Sequence, residues 1–472
     1  MWARWRSTGG LDLGQQPVLA IAGTAFHTPK RGHLDILEDA LIEVAKDGTI
    51  ATMRRAGDGD LAARRTELER AGVLITLKPG QYLLPGLVDL HIHAPQWPQM
   101  GKALHLPLAD WLQKNTFPLE ARFADPVFAA RIYDNLVETL LANGTTTAVY
   151  FGTIHDAANL ILAETCLKRG QRGFVGRVAM DDPSQCPEDY RDASAASAIA
   201  STKGFIDAVH GLAGNGDHLV RPVITPRFIP SCTDTLLTGL GRLARDCDCH
   251  VQTHCSESDW EHQFVFDRLG KSDTAALESF GLLTRHTVLA HGNFIAEEDF
   301  DRIGQAGAAV AHCPLSNFYF ANAVFPLRAA LGKGVHVGLG TDISGGHSPS
   351  ILEACRYAVA ASRALEDGVN PRLTAADRGS PGQRIDVLDA FYLATRGGAE
   401  ALDIRAGRFE TGCSFDALVV DTDVPHSNVI VDRCSDSLAD VFQKIVYTAG
   451  RANIGHVFVA GRSVHSVGGA SR

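Results

Sequence analysis

From about residue 82 onward, the chain alternates short, nearly continuous apolar runs with longer amphipathic segments, the pattern that successive strand and helix units produce. Eight such runs can be read: LLPGLVDLHIH, GTTTAVYFGT, GFVGRVAM, VRPVITPRF, HVQTHCSE, HTVLAHG, AAVAHCPLSN and HVGLGTD. A strand with one face in water would alternate apolar and polar residues. These do not, so they read as strands buried on both faces, the condition of a parallel sheet covered by helices. Eight of them predict an α/β protein, a (β/α)8 TIM-like barrel whose active site lies at the C-terminal ends of its strands.

The two ends of the chain read differently. Runs such as PVLAIAGTAFHTP, DALIEVAKDGTI, CSFDALVVD and NIGHVFVAGRSVH are short and punctuated by turns. They predict a small β-sandwich lobe built from both chain ends, residues 1–81 and 405–472, beside a barrel over 82–404. The stretch 181–215 begins as a polar loop and becomes an Ala-rich helix.

Composition narrows the function classes. A chain of 472 residues, 45% hydrophobic and 21% charged, is long enough for such a barrel and has a soluble globular balance. Its formal net charge of -10 argues against a nucleic-acid surface, which needs clustered Lys and Arg, and favours a small-molecule substrate. No run reaches the roughly 18 apolar residues of a membrane span, and the opening MWARWRSTGGLDLGQQ has no apolar core of a leader, so a cytoplasmic protein is expected. The 10 cysteines are scattered and the nearest pair, Cys247 and Cys249, lacks CxxC spacing, so they read as reduced, buried thiols.

The chemistry lies at the strand ends. His91 and His93 are two apart in a strand, so both imidazoles leave the same face and can grip one ion. His254 in HVQTHCSE and Asp342 in HVGLGTD end two further strands, and His291 in VLAHGN stands as their partner. Neutral imidazole and carboxylate are ordinary zinc ligands, and such a set with an open position suits a metal-activated water. A lone histidine among the 19 is more often packed in a core, as His312 in AAVAHCPLSN is read, and Asp342 could instead cap its turn. Glu257, three residues past His254, could shuttle protons between water and substrate, or merely favour a helix start. Asp342 could also accept the water's proton while His291 orients it. The H-x-E and P-C-x-x-C ligands of the nucleic-acid-editing deaminases do not occur here.

The run PGLVDLHIHAPQ, followed in order by HCSE, LAHG, AHCPLSN and GLGTDISGG, resembles the amidohydrolase superfamily. LPLADWLQKNTFPLEARF, NGTTTAVYFGTIH and TPRF resemble the guanine deaminases within it. That resemblance implies hydrolysis of guanine to xanthine and ammonia by attack of a metal-bound hydroxide on C2, with Zn2+ on His91, His93, His254 and Asp342. It implies proton transfer by Glu257, base contacts from Gln96, Arg227, Phe228 and His254, and a homodimer. Two-ion members bridge their metals with a lysine after the fourth strand; VRPVITPRF has none, so one ion is expected. The residues make separate sense of that base: an arginine fork can donate to the O6/N7 edge of guanine, and an amide can bond another edge. Without the resemblance, Arg227 reads as the partner of a carboxylate and Phe228 as core. Two rival readings are a deaminase or chlorohydrolase acting on another heterocycle, and a non-catalytic scaffold that keeps the barrel.

Overall fold

The computed structural model describes residues 17–467. The opening run read above for a leader lies outside them. Among the described residues no helix is long and apolar enough to cross a membrane.

Near the N-terminus the chain forms β1 (Leu19–Lys30), β2 (His33–Val44), β3 (Ile50–Arg54), β4 (Leu74–Thr76) and β5 (Gln81–Pro85). β1 pairs antiparallel with β2, and β2 with β3, while β4 and β5 lie parallel to β1. The eight barrel strands follow: β6 (Leu87–His93), β7 (Thr145–Phe151), β8 (Arg172–Ala179), β9 (Val220–Pro226), β10 (His250–Cys255), β11 (Thr287–His291), β12 (Ala309–His312) and β13 (His336–Leu339). The chain ends in β14 (Ala417–Asp421), β15 (Ile454–Val459) and β16 (Arg462–Ser466). β14 pairs antiparallel with β5, so both chain ends build one eight-stranded lobe sheet, as the sequence pattern predicts. β5 straddles the expected boundary at residue 82 and belongs to the lobe sheet.

Each of the eight apolar runs contains one strand of the second sheet, whose order follows the chain from β6 to β13, all parallel. β6, β7, β8, β10, β11 and β12 are buried along their whole length, which is why their sequences are apolar on both faces. Val88 and Leu90 of β6 join Val149, Phe174, Val223 and Val288 in one packed cluster drawn from five strands. In the stretch 181–215, the helix runs over Ala195–His210, capped by Ser194, and the loop before it turns Tyr190 and Asp192 inward. Arg177 holds that loop through two bonds to the Asp192 carboxylate.

The ring closes just beyond the end of β13. The Asp342 amide donates to the His91 carbonyl at 2.9 Å, and the His93 amide donates to the Ile343 carbonyl at 2.8 Å. Asp89, fully buried in β6, clasps this seam. It accepts from the amide (3.0 Å) and hydroxyl (2.5 Å) of Thr341 and from the amide of His91 (3.1 Å). Burial lifts its carboxyl to about 7, although these three donors oppose the rise. One glycine marks how tightly the seam packs: a Cβ on Gly340 would lie 2.9 Å from His91 Cβ.

The clasp predicts a stability cost. Asp89→Ala leaves three buried donors unpartnered and destabilises the metal-free protein by about 3 kcal/mol or more, whereas Asp89→Asn, which keeps an acceptor oxygen, loses less. Urea unfolding of the two variants measures this, and an unchanged midpoint in Asp89→Ala rejects the clasp.

Candidate active site

The seam brings the strand ends together, and with them the side chains that the sequence singled out. His91 and His93 come from the end of β6, His254 from β10, His291 is the last residue of β11, and Asp342 follows β13. All five are buried. His93 Nε2 lies 2.9 Å from His254 Nε2, and ligand atoms of His91, His93 and His254 all fall within 4.8 Å of one another. Asp342 Oδ1 is 3.1 Å from His91 Nε2 and 3.7 Å from His93 Nε2. His312 stays in the core with its ring against Phe325, as its sequence reading had it.

Several of these buried nitrogens have no hydrogen-bond partner, and two of them, Nε2 of His91 and Nε2 of His291, lie 3.1 Å and 3.9 Å from the Asp342 carboxylate. Buried polar atoms are rarely left so, and the pattern fits donors aimed at an ion. Burial pushes the pKa values of His91, His93 and His254 down, so their imidazoles are neutral. Burial also pushes the Asp342 carboxyl up, but the facing His91 and His291 outweigh it and hold it at about 2. Three neutral imidazoles and one carboxylate are the donor set of a divalent metal such as zinc. One further support is the hydrogen bond from His254 Nδ1 to the Arg227 carbonyl at 2.6 Å, which fixes the ring and turns Nε2 inward.

Glu257 stands at the edge of this cluster, its Oε1 3.7 Å from His291 Nε2. Its peptide is gripped on both sides. The amide donates to Glu261 Oε2 at 2.8 Å, and the carbonyl accepts from Asn293 Nδ2 at 2.9 Å. Ser258 caps the helix Asp259–Leu269, and Glu257 stands just before that cap but is buried, not a surface residue. Burial raises the Glu257 carboxyl to about 7, so it can carry or release a proton near neutral pH. Burial and the charges of Asp273 and Glu257 raise the Glu261 carboxyl as well.

These groups border a pocket with about 460 Å3 of empty space. Its polar side carries His93, Gln96, Arg227, His254, Glu257 and Asp342, and its apolar side carries Leu108, Trp111, Leu112, Phe228, Trp260 and Phe320. Every site residue expected from the sequence therefore lies on this pocket except His91 and His291, which sit just beneath it. Arg227 is also paired, donating from Nη1 to Glu120 Oε2 at 2.6 Å and from Nη2 to Oε1 at 3.2 Å. Both readings of Arg227, pocket wall and carboxylate partner, hold together, because a guanidinium has five N–H donors and Glu120 takes two.

Sequence reasoning missed Asp89, Glu120, Glu261 and Asn293. Asp89 lay inside the quoted run PGLVDLHIHAPQ, where a carboxylate amid apolar residues was the available signal, whereas Glu120 stood among other polar residues of LPLADWLQKNTFPLEARF. Glu261 and Asn293 gave none.

The chain's residues 82–464 match the model of the amidohydrolase family. The probable guanine deaminase of Schizosaccharomyces pombe is 38% identical over 94% of this chain and 82% of its own length. The guanine deaminase of Homo sapiens is 36% identical over 95% and 98%. Among solved structures, the guanine deaminase from C. acetobutylicum with guanine bound in its active site superposes with a TM-score of 0.83, at 28% identity, over 95% of this chain and 100% of that one.

The donor set predicts linkage between metal and stability. Zn2+ at a hundredfold excess over its Kd stabilises chelator-treated protein by about 2.7 kcal/mol, read as a rise in thermal midpoint. Asp342→Ala and His91→Ala show no such rise; a full response in either removes that residue from the ligand set.

Proposed function

The chain belongs to the amidohydrolase family, and from that membership together with the site we propose that it is a guanine deaminase, converting guanine and water to xanthine and ammonia. One observation carries the reading: three members of the metal-type donor set, His93, His254 and Asp342, a carboxyl poised near neutral pH and a paired arginine–amide edge all border one pocket. We further propose one Zn2+ per chain on His91, His93, His254 and Asp342. When bound, that ion supplies Lewis-acid activation of water at the open position.

The chain's own groups then divide the remaining work. Phe228 and the neighbouring tryptophans offer the base an apolar slot. Arg227 keeps three N–H donors beyond those given to Glu120, enough to address the O6/N7 edge. Gln96 reaches another ring edge through its amide. In this pose C2 lies over the histidine cluster, and the water reacts there. Asp342, held ionised, accepts one proton of the water. His291 donates from Nδ1 toward Asn317 Oδ1 at 3.0 Å, which leaves the Nε2 lone pair to accept a hydrogen bond and orient that water. Glu257 takes up the water's other proton and passes it to the ring nitrogen, and the proton held by Asp342 goes on to the departing amine, so the 2-amino group leaves as ammonia and the C2 oxygen stays.

Two results check this. Glu257→Gln keeps its zinc, one ion per chain by metal analysis, while turnover falls about 10²-fold or more; a metal-loaded Glu257→Gln protein with near-normal turnover discards the proton role. The unsubstituted protein releases ammonia from guanine and little from adenine or cytosine, because adenine carries a donor amino group where guanine carries the O6 acceptor. A preference for either of the other bases overturns the choice of substrate and leaves a hydrolase of another heterocycle.

A further inference from the structure

Glu120 does not border the pocket, yet it joins the two polar groups that do. It lies in the short helix Phe117–Ala121, on the segment between β6 and β7, and is fully buried. Its Oε1 accepts from Gln96 Nε2 at 2.9 Å and from Arg227 Nη2 at 3.2 Å, while Oε2 accepts from Arg227 Nη1 at 2.6 Å. A carboxylate only accepts, so Gln96 must turn its nitrogen toward Glu120 and its oxygen away. The oxygen then meets the Ser344 amide at 3.2 Å, and the Ser344 hydroxyl donates to the Gln96 carbonyl at 2.5 Å. On the other side, the Arg227 carbonyl accepts from the backbone amide of His254 at 3.2 Å.

These bonds form one chain around the pocket, from the loop that follows Asp342 through Ser344, Gln96, Glu120 and Arg227 to His254. Glu120 is its middle link. The guanidinium also lies 5.1 Å from the Phe117 ring, and the buried phenol of Tyr190 faces the Glu120 carboxylate. A buried guanidinium without this partner would have to turn elsewhere for compensation, and a free amide could present either end to a ligand.

We propose that Glu120 is a positioning residue for base recognition: it fixes which hydrogens of Arg227 and which end of Gln96 face the purine, and so sets the preference for a 6-oxo base. This rests on the guanine reading above. It also makes Glu120 a probe that leaves Arg227, which borders the pocket, in place.

The test compares Glu120→Gln and Glu120→Asp with the unsubstituted holoenzyme on guanine and on 2-aminopurine, which keeps the 2-amino group and lacks O6. KM, kcat and zinc content are measured for each. Expected for Glu120→Gln are full zinc content, kcat within about threefold, and KM for guanine raised about tenfold or more, the size of one lost charge-assisted bond. The guanine to 2-aminopurine ratio of kcat/KM falls by a similar factor, and Glu120→Asp, which keeps the charge, recovers part of both. If Glu120→Gln does not fold, Glu120→Asp alone carries the comparison, since its shorter reach must still raise KM. An unsubstituted enzyme active on guanine, with either folded variant unchanged in KM and in the ratio, overturns the role of Glu120 alone. Loss of zinc and kcat together with KM makes Glu120 a general structural residue and overturns it too. An unsubstituted enzyme inactive on guanine refutes the substrate reading and this role with it.

Discussion

The ring of eight strands closes through two backbone hydrogen bonds, and the residues that form or flank them include three of the four proposed metal donors, His91, His93 and Asp342. Asp342 to His91 and His93 to Ile343 are both the last rungs of the barrel and the reason three ligands meet. A metal site needs its donors within a few tenths of an ångström, and few contacts are as reproducible as a backbone ladder in a fully buried sheet. Asp89 adds a side-chain clasp at the same rungs. Barrel closure and the geometry of the proposed ligands are thus a single event, and the remaining donor, His254, arrives with His291 on strands whose register follows from β6 outward.

The local backbone at these positions is unusual as well. His291 and Asp342 adopt left-handed conformations, with φ of 74° and 48°, and Ser256, next to Glu257, has φ of 47°. Side chains other than glycine pay roughly 1 kcal/mol or more for this geometry. The surrounding pairs hold it in place at the strand ends, where Asp342 borders the pocket. The two acidic groups so delivered end in different states. Asp342 faces histidines and stays ionised, whereas Glu257 is lifted by burial. Environment alone separates two carboxylates into a ligand-type anion and a proton carrier.

What could be read from the sequence was whatever depends on neighbours in the chain. Strands buried on both faces announce themselves as apolar runs, and His91 and His93 announce a shared face by their spacing, so the barrel and the ligand cluster were legible. Asp342 and His254 became persuasive because each ended such a run. Glu120 was not legible: its partners are 24 residues before it and 107 after it, and an isolated Glu in a helical segment ordinarily means a solvated surface. Glu261 and Asn293 were hidden for a similar reason. They act on the peptide of Glu257, and a contact to backbone leaves no trace in the pattern of side chains. The fork of Arg227 shows the opposite limit, since its residue type admitted two partners and the fold uses both sides of it.

The lobe adds a consequence in time. Only Gly86 separates β5 from β6, and β5 takes β14 as its antiparallel partner. On a ribosome, at about 5–20 residues per second, the strand that leads into β6 emerges more than 300 residues before the partner that pairs with it. Through that interval β5 has β1 alone beside it, and its other edge is open to any extended chain nearby. At that rate the interval is on the order of tens of seconds, during which β5 waits for β14 beside the strand that carries His91 and His93. The last strands to be synthesised cover that edge.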